Sequence, residues 1–417
     1  MLVLLRQALG LAVQPPSRPL ATGLSAHLQA KLATGLASTS TTDVEAAASS
    51  LVLQLAALAP PSENVNEWAR REGLRIARML ERRPELADSL AQGSATVEQA
   101  LRQINEEREA ASELYETIAS HHARLRDEVS VDWNADDVST VWRAATAEQA
   151  ALRPYAEAAA EIGTREWAKA GIAWCAEQAA HFYRGGGARK LALREGGTPD
   201  DVAAAAAVEP SGESGAIRLL DVGACGSLFA SYEGIEATAL DLCPQADETL
   251  QCDFLQLEVD PDPASERIVV PHADVRAGSL VRMPAGAADV VVMSLVLSYL
   301  PQPRQRAAMV AQARRVLQSA SPTRRGLLLL VDTMAIDRKA RRWSEQTNLH
   351  QWVEAIEGLG FVFVRHQTLC RTHALAFATV PMSDEALAER LSAPLPELAL
   401  IRGEDTTSST LMGEDDE

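Results

Sequence analysis

Seven short apolar runs between residues 217 and 379 limit what this chain can fold into more than any other feature of it. They lie at 217–222, 237–242, 250–254, 289–295, 326–331, 361–366 and 373–379, with helix-like segments between them. Strands alternating with helices give a doubly wound sheet, because parallel neighbours need a crossover connection between them. One such crossover is 304–317, where Ala307, Val310, Ala311, Ala313, Val316 and Leu317 are available to pack on the sheet; 349–359 supplies another. Only residues 367–372 separate the last two runs, too few for a crossover helix, so these strands form an antiparallel hairpin.

The first half of the chain reads differently. From about Asn64 to Tyr183 it shows helical periodicity and little strand character. Leu101, Ile104, Ala111, Leu114, Ile118 and Leu125 share one face of a long helix beginning near Thr96, which turns Glu106, Glu107, Arg108 and Glu109 to water. Trp167, Trp174, Cys175 and Phe182 form a second stripe, read as core, that ends at Gly185-Gly186-Gly187. Arg184, Arg189 and Lys190 flank this triple glycine, whose backbone can bend around an anionic group. The expected organisation is an extension over 1–62, a helical domain over 63–194, a Gly, Pro, Ser and Asp-containing linker over 195–215, the sheet domain over 216–381 and an acidic tail over 382–417.

A chain of 417 residues with 47% apolar composition has material for two cores. Its 57 acidic against 39 basic residues give a net charge of −18, which argues against gripping phosphate backbones over the whole surface. The five cysteines (Cys175, Cys225, Cys243, Cys252, Cys370) contain no Cys-x-x-Cys pair, so neither a disulfide framework nor a metal site is signalled, and they read as reduced, buried residues. No run of eighteen apolar residues exists, and membrane insertion is not expected. Residues 1–42 hold no Asp or Glu and are rich in Ser, Thr and Ala, a composition shared by organelle transit peptides and by plain extensions of alanine-rich proteins.

The residues with chemical meaning lie at the ends of the apolar runs. The first run ends in Leu219-Leu220-Asp221-Val222-Gly223-Ala224-Cys225-Gly226, where Gly223 lets a ligand approach the backbone. Asp241 follows Ala237-Thr238-Ala239-Leu240 near the end of the next run, about 20 residues beyond Asp221, the offset at which an acid accepts from both ribose hydroxyls of a nucleoside-bearing cofactor. Gln251-Cys252-Asp253-Phe254-Leu255 offers Asp253 as acceptor for the exocyclic amine of adenine and Phe254 as an apolar face for the ring. Ser294 stands at the tip of the fourth run, at the carboxyl end of the sheet where such folds bind ligands.

Seven strands with a terminal antiparallel hairpin are the pattern of class I methyltransferases, an α/β Rossmann-like fold carried here with an α-helical N-terminal domain. The motifs resemble one family more closely: the S-adenosylmethionine sensors upstream of TOR complex 1, together with fungal relatives that methylate an adenine N1 in 25S ribosomal RNA. The resemblance rests on Leu220-Asp221-Val222-Gly223-Ala224-Cys225, Ala239-Leu240-Asp241-Leu242-Cys243-Pro244, Gln251-Cys252-Asp253-Phe254-Leu255, Ser294-Leu295-Val296-Leu297-Ser298-Tyr299-Leu300-Pro301 and the closing His373-Ala374-Leu375-Ala376-Phe377. It implies S-adenosyl-L-methionine as cofactor, contacted by Gly223, Asp241, Asp253, Phe254 and Ser294, with a family arginine of the helical domain falling on Arg184 or Arg189. The chain departs from the sensor-like pattern at Gly226-Ser227-Leu228-Phe229, which lacks an Asn-Pro, and at Asp332-Thr333-Met334, which lacks a Pro-Asp-Ser. Both departures bear on the rim of the site.

The resemblance leaves two functions open. As an RNA methyltransferase the chain takes a ribosomal RNA substrate and needs an exposed basic groove leading to Ser294, for which Arg276, Arg282, Arg304, Arg306, Arg314, Arg315, Arg338, Lys339, Arg341 and Arg342 are candidates. This is the reading to which the sequence leans. As a sensor it meets a GATOR/KICSTOR-type regulatory complex of the TOR pathway, and ligand occupancy changes that affinity. A methyltransferase for a small metabolite or a protein is a third option, separated from the first by a closed cup in place of an open groove. Methyl transfer needs mainly in-line positioning, so no catalytic base is assigned; Tyr299 either stacks on an acceptor base or packs under the sheet. The resemblance places the protein in the cytoplasm or the nucleus and nucleolus.

Overall fold

The computed structural model of the protein describes residues 97–128, 135–147, 149–208, 210–317, 325–337, 347–369 and 371–400. The chain divides into two compact units; of the first, only part of one helix is described, and the fold below is that of the second, Glu113–Gly413. The expectations for 1–62, for the side chains of Leu101, Ile104 and 106–109, for the basic run 338–342, for Cys370 and for the last residues of the tail lie outside the described residues.

Among the described residues, six α-helices precede the sheet: α1 (Val97–Glu128), α2 (Ala135–Ala147), α3 (Gln149–Gly163), α4 (Glu166–Tyr183), α5 (Gly187–Arg194) and α6 (Pro199–Ala206). The apolar stripe of α1 faces inward, Ile118 and Leu125 being buried. On α4, Trp174, Cys175 and Phe182 are buried as their spacing requires, whereas Trp167 is half-buried. The triple glycine ends α4 and starts α5. Gly186 takes φ +76°, and a Cβ on Gly187 would stand 2.7 Å from Phe182 Cα, so the chain reverses here only because side chains are missing. The stretch 195–215 carries α6, started by a capping box between Thr198 and Asp201 with Pro199 at its first position.

Next come β1 (Ile217–Val222), β2 (Ile235–Asp241), β3 (Leu250–Gln251), β4 (Glu258–Asp260), β5 (Ile268–Val270), β6 (Ser279–Pro284) and β7 (Val290–Ser294), followed by α7 (Pro303–Val316), β8 (Leu327–Thr333), α8 (Asn348–Gly358), β9 (Phe361–Thr368), β10 (Thr372–Thr379) and α9 (Asp384–Ser392). The strands expected from sequence stand side by side in the order β3-β2-β1-β7-β8-β10-β9, parallel except for β10, which runs antiparallel to both neighbours. This is the class I methyltransferase arrangement. The sheet then continues past β3 through β6, β4 and β5, giving ten strands among the described residues.

Both faces of the sheet are covered, which is why β7 and β8 are almost wholly apolar. One face packs α7 and α8 through Val310, Val316, Trp352 and Ile356; the other packs α4 and α5 through Trp174, Cys175, Phe182 and Leu191. Arg306 and Arg314 of α7 are buried among these contacts, and their guanidinium groups donate to the carbonyls of Leu297 and Leu398 and of Gly360 and Val380. Among the described residues, no helix is long and apolar enough to cross a membrane.

Candidate functional site

The strand order reverses between β1 and β7, and in open α/β sheets the ligand crevice forms beyond the carboxyl ends of the strands at such a point. A cavity of about 340 Å³ lies there. That is within the range of roughly 300–1,000 Å³ usual for small-molecule sites. Gly223, Asp241, Asp253, Phe254 and Ser294 all line it. Arg189 does not: it is exposed on α5, away from the cavity wall, and Arg184 donates to the carbonyls of Gly215 and Gly234, each at 3.1 Å.

The turn after β1 owes its shape to Gly223, whose φ is +74°. A Cβ there would stand 2.5 Å from Val296 Cγ2. Gly223→Ala is therefore expected to cost about 1–2 kcal/mol through left-handed strain and the Val296 contact. Gly226→Ala, where the nearest atoms would be 3.9 Å away, should stay within about 0.5 kcal/mol of the parent. Urea midpoints of the two variants check this, and equal midpoints would remove the steric account of the turn. Leu295, which follows Ser294, holds φ 58°, the one non-glycine positive φ among the described residues. Strain of this kind collects at ligand sites.

Three carboxylates set the electrostatics. Asp241 Oδ1 accepts from the Cys243 N–H at 2.7 Å and Oδ2 from the Cys225 N–H at 3.0 Å. Burial raises its carboxyl above the ordinary range against the pull of those donors. The Cys225 thiol is a third donor to this carboxylate, which leaves at least one of its four lone-pair sites for a hydroxyl donor. Asp253 Oδ1 accepts from the Leu255 N–H at 3.1 Å, while Oδ2 accepts from the indole N–H of Trp142 on α2 at 3.0 Å. Asp221, not among the expected ligand contacts, lines the cavity too, and its buried Oδ2 has no hydrogen-bond partner. Burial, and then Asp241, push its carboxyl up to about 8. Cys225 also lines the cavity, with a thiol that burial holds well above the ordinary range, so it is no thiolate nucleophile.

The opposite wall comes from the helices. His121 and His122 of α1, Trp142 and Thr146 of α2, Leu152 and Tyr155 of α3, and Ala168 and Ile172 of α4 complete the cavity. Tyr299 turns into it rather than under the sheet, with its ring 4.3 Å from that of His122 and 6.0 Å from that of Tyr155. His121 stacks on Tyr155 at 4.6 Å. Burial lowers His122 to about 3 and His121 to about 4, so both imidazoles are neutral. Apart from Tyr299, no pattern of residues marks this roof, because its rings sit on ordinary helices; Trp142 is 111 residues from the carboxylate it binds.

These residues fit S-adenosylmethionine: acceptors at Asp241 for ribose hydroxyls, an acceptor at Asp253 for an exocyclic amine, and an unpaired buried carboxyl at Asp221 for a cationic group. Each of the described basic candidates has a partner within the chain. Arg276, Arg282 and Arg304 pair with Asp247, Glu258 and Glu397; Arg306 and Arg314 are buried on carbonyls; and Arg315 donates to Gln312.

Comparison with known proteins agrees with this geometry. Residues 200–390 match the family model described as Bmt2, 25S rRNA (adenine(2142)-N(1))-methyltransferase. The chain is also similar to the S-adenosylmethionine sensor upstream of mTORC1 of Danio rerio, 26% identical over 72% of this chain and 78% of that protein. Against the Xenopus tropicalis protein of the same name it is 28% identical over 58% of this chain and 64% of that one. The antibiotic-resistance methyltransferase Kmr overlaps 40% of this chain and 88% of its own at 16% identity and a TM-score of 0.23, which bears on nothing beyond general likeness. Residues 200–390 thus carry an S-adenosylmethionine-dependent methyltransferase fold similar to that of the Bmt2 family, in a chain whose longer alignment is with S-adenosylmethionine sensors.

Proposed function

We propose that the protein binds S-adenosylmethionine at the strand ends and reports its presence, through the helical roof, to a protein partner. The observation that carries this reading is the hydrogen bond from Trp142 to Asp253. A cofactor whose adenine amine takes Asp253 must share that carboxylate with Trp142 or displace it. Occupancy is then coupled to the position of α2, and a ligand shifts a conformational equilibrium by as much as its contacts differ between the two states. The helices line the cavity opposite the strand ends, and the engaged arginines weaken the case for a phosphate-tracking surface. The names of the sensors similar to this chain, upstream of mTORC1, support a TOR-pathway complex as the partner, with the GATOR/KICSTOR type being what the family resemblance implies.

Methyl transfer to a ribosomal RNA adenine is the second reading, favoured by the matched Bmt2 model. When bound, the cofactor supplies an electrophilic methyl group; the chain's own part is to orient it with Asp241 and Asp253 and to exclude water with the roof rings. Hydrogen exchange with and without S-adenosylmethionine separates the two. The reporting role predicts changed exchange over 135–163 together with the strand ends. Change confined to the strand ends, together with labelled methyl on 25S-type RNA, would favour the enzyme instead.

A further inference from the structure

A second cavity, of about 220 Å³, lies between α4 and α5 on one side and β8, β9 and β10 on the other, and shares no lining residue with the first. Its charged lining is of one sign. Lys190 and Arg194 of α5 and Arg365 of β9 contribute to the wall, and no Asp or Glu does so among the described residues. Glu195, next after α5, is engaged by Arg325 at 2.6 Å. Arg194 donates to the carbonyls of Phe363 and Val364, whereas Lys190 has no partner among the described residues. Gln178 is only 8% exposed, and its Oε1 accepts from Arg365 at 3.4 Å. Its amide Nε2 has no partner among the described residues, which leaves a donor at the cavity wall.

Two backbone features add to this. No side chain caps α5 at Gly186, and its first helical bond runs from the Lys190 N–H to the Gly186 carbonyl, so the N–H groups ahead of Lys190 have no partner in the helix. Gly187, in that first turn, lines the cavity. Across from it, the pairing of β9 with β10 steps from Phe363 and Phe377 to Arg365 and Ala376, leaving Val364 as an extra residue. Consecutive strand residues ordinarily face opposite sides, and this bulge lets Val364 and Arg365 both line the cavity.

We propose that this cavity binds the phosphate group of a small phosphate monoester, at a site separate from that of S-adenosylmethionine. A phosphate monoester offers three acceptor oxygens and close to two charges, and so engages a helix start, an ammonium, a guanidinium and an amide together. A carboxylate has one charge and two oxygens in a plane, which uses fewer of these donors. The rest of the wall includes Phe182, Leu191 and Leu327, apolar surface that suits the body of an ester better than bare phosphate.

The test is calorimetric titration of the full chain at constant pH and ionic strength with phenyl phosphate, inorganic phosphate and benzoate. Phenyl phosphate is expected to saturate one site and to bind at least about fivefold tighter than either of the others. Lys190→Gln and Arg365→Gln, both at exposed side chains, should each weaken it about tenfold, the loss of a hydrogen bond between charged groups. Arg189→Gln, exposed on the same helix but off the cavity wall, should leave it within about twofold. Affinity that survives both cavity variants, or that falls as far in Arg189→Gln, would overturn the assignment. Inorganic phosphate binding equally tightly would overturn the ester, and benzoate doing so would overturn the phosphate. No saturation by phenyl phosphate in the folded parent would remove the site altogether.

Discussion

Asp241→Ala is expected to lower S-adenosylmethionine affinity by at least about 100-fold while the chain stays folded. A hydrogen bond to a charged group contributes about 1.5–3 kcal/mol, so losing two hydroxyl contacts costs two decades or more in affinity. The same carboxylate holds the Cys225 and Cys243 N–H groups, so its loss also loosens the turn that borders the ligand. The fold should survive, because the cores on both faces of the sheet are built from other side chains. Asp241→Asn, with one acceptor oxygen instead of two, should fall between parent and alanine variant. Calorimetry with circular dichroism of each variant checks this, and unchanged affinity in folded Asp241→Ala would remove the ribose assignment.

The second large effect is on pH. Asp221, pushed up to about 8, is mostly protonated at neutral pH in the ligand-free protein. The groups around it are Asp241, Cys175 on α4 and Cys225, and burial raises both thiols so that they stay neutral. A cationic ligand favours the ionised carboxyl, so affinity should rise between pH 6 and 8, by at most about tenfold per unit. The ligand's own α-amino group, with an ordinary pKa of about 7.7–8.0, is about half neutral by pH 8, which flattens the rise at the top of that window. Folding stability without ligand moves the other way. Between about 4 and 8 the folded state keeps a proton that the unfolded state has released, so stability falls as pH rises through that window. Asp221→Asn should make both slopes shallower, with a remainder from Asp241, whose carboxyl is raised in the same direction. Parent and variant slopes that coincide would remove Asp221 from the site.

The parts legible in the sequence share a physical cause. Buried parallel strands must be apolar on both faces, so β1, β7 and β8 stand out as runs, and a six-residue gap admits only the β9–β10 hairpin. Strands β4 and β5 have three residues each and β5 is exposed throughout, which leaves no run or alternation to read. Gly223, Asp241, Asp253, Phe254 and Ser294 were visible because strand ends and offsets place them at one edge of the sheet. The roof was not, since His122, Trp142 and Tyr155 have the spacing of any helix core and acquire meaning only when the helices fold over Asp253 and Tyr299. Arginines looked alike as letters, yet Arg306 is buried on two carbonyls while Arg276 pairs at the surface with Asp247.

The strand ends and the roof together line the site read as that of S-adenosylmethionine. Calorimetric titration of that ligand into the full chain near neutral pH tests it most directly. Saturable binding at one site per chain, tighter at pH 8 than at pH 6, is the expected result. No heat and no saturation with millimolar ligand and folded protein would contradict it.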